Sequence, residues 1–303
     1  MEELGTRRRN VVYYLLFPAI IMELLVYVFP SLLSGLISLK QVTQYTIADW
    51  IHAPFLWFKN YGILFDFDNP ISKAFFSSVA TTLKYGLTAK ILHFGLGLWA
   101  ALIVNRAFKG RGFFRTLFMI PYAIPIFISA IAWRFMFLKD WGFINYILVD
   151  KLHWLADKPF WLVGANSFWA MVTTQVWRGW SFHYIMILAA LQTVPEEIFE
   201  AIEIDGGGDF VKFRHGILPF IKPVLITLLV VNGAAILNEF QTAFILLGDS
   251  PAQEANVISI HSYTQAFDYW NFGISSAMSI TWLIIIVMIS FGFKRITGKK
   301  AEG

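Results

Sequence analysis

Six stretches of this 303-residue chain lie at residues 13–33, 79–104, 117–137, 168–191, 223–247 and 274–293. Each approaches the run of about 20 mainly apolar residues that one helical passage through hydrocarbon requires. Lipid offers backbone N–H and C=O groups no water, so runs of this kind select helices that satisfy their own hydrogen bonds. The composition agrees: 57% of residues are hydrophobic and only 15% charged, whereas a soluble chain has roughly a quarter charged. The 12 Trp and 30 Phe suit aromatic belts at the two membrane surfaces. The expected fold class is an all-α integral membrane protein with about six transmembrane helices. The second stretch is the least apolar, carrying Lys84, Lys90 and His93, and part of it is expected to face protein or water.

An even number of spans puts both termini on one side, and Lys and Arg decide which. With the termini cytoplasmic, the inner segments hold 14 of these residues, in clusters at Arg7–Arg9, Arg106–Arg115, Lys212–Lys222 and Lys294–Lys300. The longer outer segments hold 6, namely Lys40, Lys59, Lys73, Lys139, Lys151 and Lys158. The sequence therefore predicts a multi-pass membrane protein with both termini cytoplasmic. Arg7-Arg8-Arg9 before an apolar run also has the look of a signal peptide. The run is too long, contains Pro18 and Glu23, and lacks a clear small-x-small cleavage site, so a retained first helix is expected.

The whole of 1–303 reads as a single transmembrane domain, with an outer loop at about 34–78 and a cytoplasmic loop at about 192–222. Trp50, Trp57, Phe58 and Tyr61 suggest that the outer loop folds on the membrane surface. Zero cysteines exclude thiolate metal sites, disulfides and cysteine nucleophiles. The basic residues sit beside apolar runs, where orientation explains them better than nucleic acid does. No H-E-x-x-H, G-x-S-x-G or P-loop pattern is present, so neither an intramembrane hydrolase nor an ATP site is expected in this chain.

The loop between the fourth and fifth stretches carries the most information. Thr193 and Glu196 have capping-box spacing, and Pro195 suits a first helical turn. Ile198, Ala201, Ile202 and Ile204 can form an apolar stripe while Glu196, Glu197, Glu200 and Glu203 stay wet. Gly206-Gly207-Gly208 then stops the helix. A second short helix from Asp209 to about His215 is expected before Pro219 and Pro223 reset the chain. Such a helix–turn–helix could lie on lipid as a plain hairpin or be a solvated helix face. Its four glutamates argue against an anionic leaflet and favour a groove in a protein partner.

Between these two spans, Glu200-Ala201, Gly206 and Leu218-Pro219 resemble the EAA loop of permease subunits in binding-protein-dependent ABC importers, at matching spacing. The sequence departs from that pattern at Ile202 (for the second Ala), Gly207 (for an Ala) and Gly216 (for an Ile). Further likeness to sugar permeases runs along the chain, through Gly142-Phe143-Ile144-Asn145, Trp177 to Phe182, Gly248 to Pro251, and Ala266-Phe267 with Phe272 to Ser279. The layout is similar to the maltose, glycerol-phosphate and trehalose first permeases. The resemblance implies a type I ABC-importer permease core working with a second permease subunit, two nucleotide-binding ATPase subunits and an external substrate-binding protein. It implies no cofactor in this chain, ATP and Mg being bound by the partner ATPase. Coupling to that ATPase would fall to Glu200, Ala201, Ile204, Asp205, Gly206 and Phe213.

Polar groups inside spans point to the substrate path. The fourth stretch offers Gln175, Arg178, Gly179 and Phe182, with Gln175, Arg178 and Phe182 at helical spacing for one face; the fifth offers Asn232, Asn238 and Glu239. By resemblance to the maltose permease, Gln175, Gly179, Phe182, Asn232 and Glu239 fall at sugar-contacting positions. Amide, carboxylate and guanidinium groups can share vicinal hydroxyls while an aromatic ring covers a sugar's apolar face. Arg178 and Glu239 could instead pair with each other and brace two helices. Arg178 also raises an anionic substrate such as glycerol phosphate or an acidic sugar; Glu239 weighs against it. An ATP-independent channel would fit the span count but would have no use for the acidic loop.

Overall fold

A computed structural model describes residues 14–298. The basic cluster Arg7–Arg9, Tyr13 at the start of the first expected span, and Lys299 and Lys300 lie outside the described residues. Within them the chain is helical, with two isolated bridge pairs, Lys40 with Phe55 and Thr43 with Asn271, in place of any strand. Four helices are long and apolar enough to cross a membrane: α1 (Tyr14–Ser38), α3 (Pro70–Asn105), α8 (Asp209–Leu237) and the Phe272–Gly292 part of α11 (Phe272–Gly298). A bent pair, α4 (Arg111–Ala123) and α5 (Ile126–Met136), makes a fifth if counted as one span.

The expected spans change in three places. The third is not straight: α4 and α5 meet at 91°. Ile124, held extended (ψ 129) by the proline that follows it, and Pro125, which has no N–H to continue the ladder, make the break. The fourth is a 27-residue helix, α6 (Ala165–Leu191), yet it falls short of the apolarity of a free-standing span among the described residues. Gln175, Arg178 and His183 lower it, and more than half of its side chains are buried in protein. The fifth ends early. Asn238 closes α8, and the separate helix α9 (Gln241–Leu247) follows.

The described chain divides into two compact units. One joins the chain up to Phe75 with Ser262–Ile284. Here the outer loop folds on itself: buried Asn60 donates to the carbonyls of Ser38 (2.8 Å) and Lys40 (3.0 Å), on either side of Leu39 where α1 has ended, and α2 (Lys59–Phe65) carries that asparagine. The other unit holds Phe76–His261 with the residues after Ile284. Its core has two centres. Tyr85, Met171, Val172 and Ile236 with Ile260 of α10 (Ile258–Phe267) form one; Ala100, Val104, Tyr184, Ile187 and Ile221 form the other. Glycine permits the close helix contacts between them. A Cβ on Gly97 would lie 2.7 Å from that of His183, and one on Gly86 would lie 2.6 Å from Leu237.

Candidate functional site

The loop after α6 is a nine-residue helix, α7 (Glu196–Ile204), closed by a Schellman turn. Gly207 N–H donates to Ile202 O (2.8 Å), Gly206 N–H donates to Glu203 O (3.0 Å), and Gly206 takes the left-handed φ of +75° that the motif requires. Two local expectations are corrected. Thr193 does not cap this helix: its hydroxyl donates back to Ala190 O (2.8 Å), and Pro195 stands at the N-cap without a side-chain bond. Nor is there a separate second helix. From Asp209 the chain runs through a π-turn at Lys212–Ile217 straight into α8, which absorbs Pro219 and Pro223.

The expected stripe splits between two faces. Ile198, Phe199 and Ile202 are half-buried, whereas Ala201 is exposed and Ile204 is 86% exposed. Glu200, Asp205 and Gly206 are exposed beside Ile204, and Phe213 is half-buried. Phe210 adds a second apolar side chain to the surface at 72% exposure. Glu203 pairs with Lys212, tying α7 to the start of α8. The three departures from the EAA pattern meet at one point. Ile202 fills the space above Gly207 and Gly216: a Cβ on Gly207 would lie 2.5 Å from its Cγ2, and one on Gly216 would lie 3.2 Å from its Cδ1. A larger residue at 202 is matched by a smaller one at 216, so the two short segments stay locked together.

Deep in the same unit a buried polar cluster joins α3, α6 and α8. Lys90 Nζ donates to Asn232 Oδ1 (2.6 Å) and Leu228 O (2.9 Å), and lies 3.2 Å from His183 Nε2. His183 Nδ1 lies 3.0 Å from Gly179 O, and His93 Nε2 lies 3.1 Å from Gln175 O. A carbonyl only accepts, so these bonds assign the proton to Nδ1 of His183 and to Nε2 of His93. His183 Nε2 is then free to accept from Lys90. Gly179 has a packing role here, since a Cβ would sit 2.2 Å from His93 Nε2. Lys90, His93, Gln175 and His183 are all buried. Gln175 Oε1 and His93 Nδ1 are buried without a protein partner among the described residues.

The structure thus brings together Gln175, Gly179 and Asn232. It separates them from Arg178 and Phe182, which turn toward Tyr122 of α4: the Arg178 guanidinium lies 5.5 Å from that ring and the tilted Phe182 ring 5.2 Å from it. The expected single face of Gln175, Arg178 and Phe182 is therefore shared between two neighbouring helices. Arg178 and Glu239 form no ion pair among the described residues. Glu239 instead accepts from Thr242 N–H (2.9 Å) at the start of α9, and its backbone carbonyl receives Ser259 Oγ (2.9 Å). Asn238 is exposed and donates to Ala234 O of its own helix. Lys90, His93 and His183 were not among the predicted site residues. Lys90 and His93 interrupt the apolar second stretch, and that is the one signal in the sequence that points to them.

Comparisons with known proteins bear on both sites. The family profile described as "Binding-protein-dependent transport system inner membrane component" matches residues 93–298. The trehalose/maltose transport system permease protein MalF of Thermococcus litoralis is 29% identical over 302 residues, covering 97% of this chain and 96% of that protein. The sn-glycerol-3-phosphate transport system permease protein UgpA of Agrobacterium fabrum is 25% identical over 279 residues, covering 92% and 91%. A chain from the crystal structure of a bacterial ABC transporter that imports the acidic polysaccharide alginate superposes with a TM-score of 0.79 at 22% identity, covering 97% of each chain. That likeness shows the fold. The family profile matches more than half of the sequence, so the chain belongs to the inner membrane components of binding-protein-dependent transport systems.

Proposed function

We propose that this inner membrane component carries a sugar, mono- or oligosaccharide, from an external binding protein into the cytoplasm as one permease of a two-permease importer. The chain is a transport component and not an enzyme; ATP and Mg would be bound and hydrolysed by two partner ATPase subunits. The sugar reading draws on the trehalose/maltose permease, which is similar over nearly its whole length. Both termini would be cytoplasmic, as the Lys and Arg distribution suggests.

The observation that carries the coupling role is the exposed face of α7 and its rigid join to α8. Glu200, Ala201, Ile204, Asp205 and Gly206 are exposed side by side, a mix of charge and apolar area suited to a protein cleft. Ile202 wedged on Gly207 and Gly216, and the Lys212–Glu203 pair, fasten that face to a helix that continues unbroken to Leu237. ATP-driven closure of the ATPase pair would push α7, and α8 would carry the motion to Asn232 and the polar cluster as the permeases rock between outward-facing and inward-facing states. Phe213, half-buried on the π-turn, would sit at this join and move with it. Gln175, Arg178, Phe182, Asn232, Asn238 and Glu239 would offer amide, guanidinium, aromatic and carboxylate contacts to the sugar, with Gly179 allowing the close packing behind them.

A detergent pull-down of the tagged chain from its native membrane tests this reading. The expected result is recovery of an ATPase and a second permease, with ATP hydrolysis stimulated by a sugar such as trehalose or maltose plus the binding protein. Recovery of the chain alone, stable and without ATPase, would contradict it.

A further inference from the structure

Lys90 is a charged residue in the middle of a spanning helix, 6% exposed, and no carboxylate pairs with it among the described residues. A bare ammonium at this depth is costly unless its protons are all satisfied or it serves the transported ligand. Its three protons meet three acceptors: Asn232 Oδ1, Leu228 O and His183 Nε2. Leu228 and Asn232 stand one turn apart on α8, so the ammonium grips that helix at two points and α6 at a third.

This arrangement has a directional consequence. An asparagine amide can turn over to offer either its oxygen or its NH2 group. Lys90 occupies the oxygen at 2.6 Å, so the amide is held one way. Asn232 is half-buried, and Lys90 is the one hydrogen-bond partner of its side chain among the described residues. What it presents is donors only, beside a positive charge. The stem of Lys90 also lines a largely apolar groove of about 270 Å³, open on one side, with Gly86, Gly233, Ala234 and Leu237; Asn232 is not part of that lining.

We propose that Lys90 is a positioning residue that fixes Asn232 as a donor to the transported molecule, selecting a substrate oxygen at that point and excluding a protonated amino sugar. The inference rests on the reading that Asn232 contacts the sugar. A hydroxyl, ring or carboxylate oxygen fits two N–H donors, whereas an ammonium finds no acceptor and is repelled by Lys90.

The test uses the intact importer complex in proteoliposomes, with trehalose and maltose as the first probes, reading KM and maximal rate separately. Asn232→Ala is expected to raise KM about tenfold, the effect of one lost hydrogen bond to a sugar oxygen. Lys90→Met is expected to raise KM by a similar factor, and the double variant to go no further than the larger single change. Lys90→Gln, whose amide can still donate to Asn232 Oδ1, should recover most of the affinity. An amino-deoxy analogue of the transported sugar should compete poorly with the unaltered protein and better with Lys90→Met. Fold-changes that multiply in the double variant, or a lower maximal rate at unchanged KM for Lys90→Met, would make Lys90 a structural brace and overturn the proposal. If Lys90→Met does not assemble, Asn232→Asp carries the test: its carboxylate keeps the Lys90 contact but has no donor, so KM should rise with assembly intact, and an unchanged KM would overturn the proposal. An unchanged KM for Asn232→Ala would instead remove Asn232 from the path, and the inference with it, while leaving the sugar-importer reading standing.

Discussion

The acidic helix α7 and the intramembrane cluster around Lys90 are built in opposite ways. In α7 the charged groups Glu200 and Asp205 are exposed, and local hydrogen bonds within a dozen residues set the shape. In the cluster the polar groups are buried, and the bonds that hold them join residues 93 and 142 positions apart, as Lys90 with His183 and with Asn232. An exposed surface can be changed without collapsing the fold, whereas a buried network has to be changed in matched pairs. That difference orders the expected effects of substitution.

The largest functional effect is expected from the exposed site. Glu200→Lys should abolish transport while the protein still inserts and can be purified, because reversing an exposed charge costs the fold little and a charged cleft much. Uptake and membrane yield, measured together, check this; normal uptake would remove Glu200 from coupling. The buried site should behave in reverse. Gly179→Ala drives a methyl into the His93 ring, 2.2 Å from Nε2, and overpacking of this kind costs about 1–3 kcal/mol. Thermal inactivation in detergent should show it, with partial recovery when His93→Ala is added.

A third substitution set probes the join between α7 and α8. Gly216→Ile alone should destabilise the junction by about 1–3 kcal/mol, since its side chain would meet Ile202, Phe199 and Ile198. Combining it with Ile202→Ala, which restores the arrangement usual in the EAA loop, should return thermal stability and transport together. Two independent, additive losses would show that the size exchange is incidental. The smallest effect belongs to Glu239→Ala. It removes the acceptor for Thr242 N–H at the start of α9, an N-cap-like loss of about 0.5–2 kcal/mol. Because the carboxylate is also proposed to contact the sugar, KM should rise beyond what that loss of stability explains, and an unchanged KM would remove Glu239 from the path.

Much of this architecture was legible in the sequence because lipid leaves a chain few options: long apolar runs had to be helices, and the glutamate-glycine spacing fixed where the coupling helix stops. The break between α4 and α5 was also written there, in Pro125 and the extended residue before it, but a window of hydropathy averages over such a kink. The capping box failed for a local reason, since Pro195 took the N-cap and left Thr193 to bond with the preceding turn. Gln175 and Asn232 could be named as path candidates from polarity, and Gly179 from the resemblance to the maltose permease. Which of them touch one another could not, because the contacts run through Lys90 and His93 on a different helix, and nothing in the spacing within α6 or α8 encodes the face that α3 covers. Arg178 and Glu239 show the same limit. Their opposite charges suggested a pair, whereas an aromatic ring on α4 and a backbone N–H on α9 hold them instead.

The chain contains no cysteine, so a single Glu200→Cys or Ile204→Cys variant offers one defined attachment point for a thiol-linked photocrosslinker in the native membrane. The account predicts a covalent product between α7 and an ATPase subunit, with a yield that changes when ATP is bound and hydrolysed. A residue freely labelled by a water-soluble maleimide in the assembled importer, with no product to any ATPase subunit in either nucleotide state, would contradict the central claim that α7 is the seat of coupling.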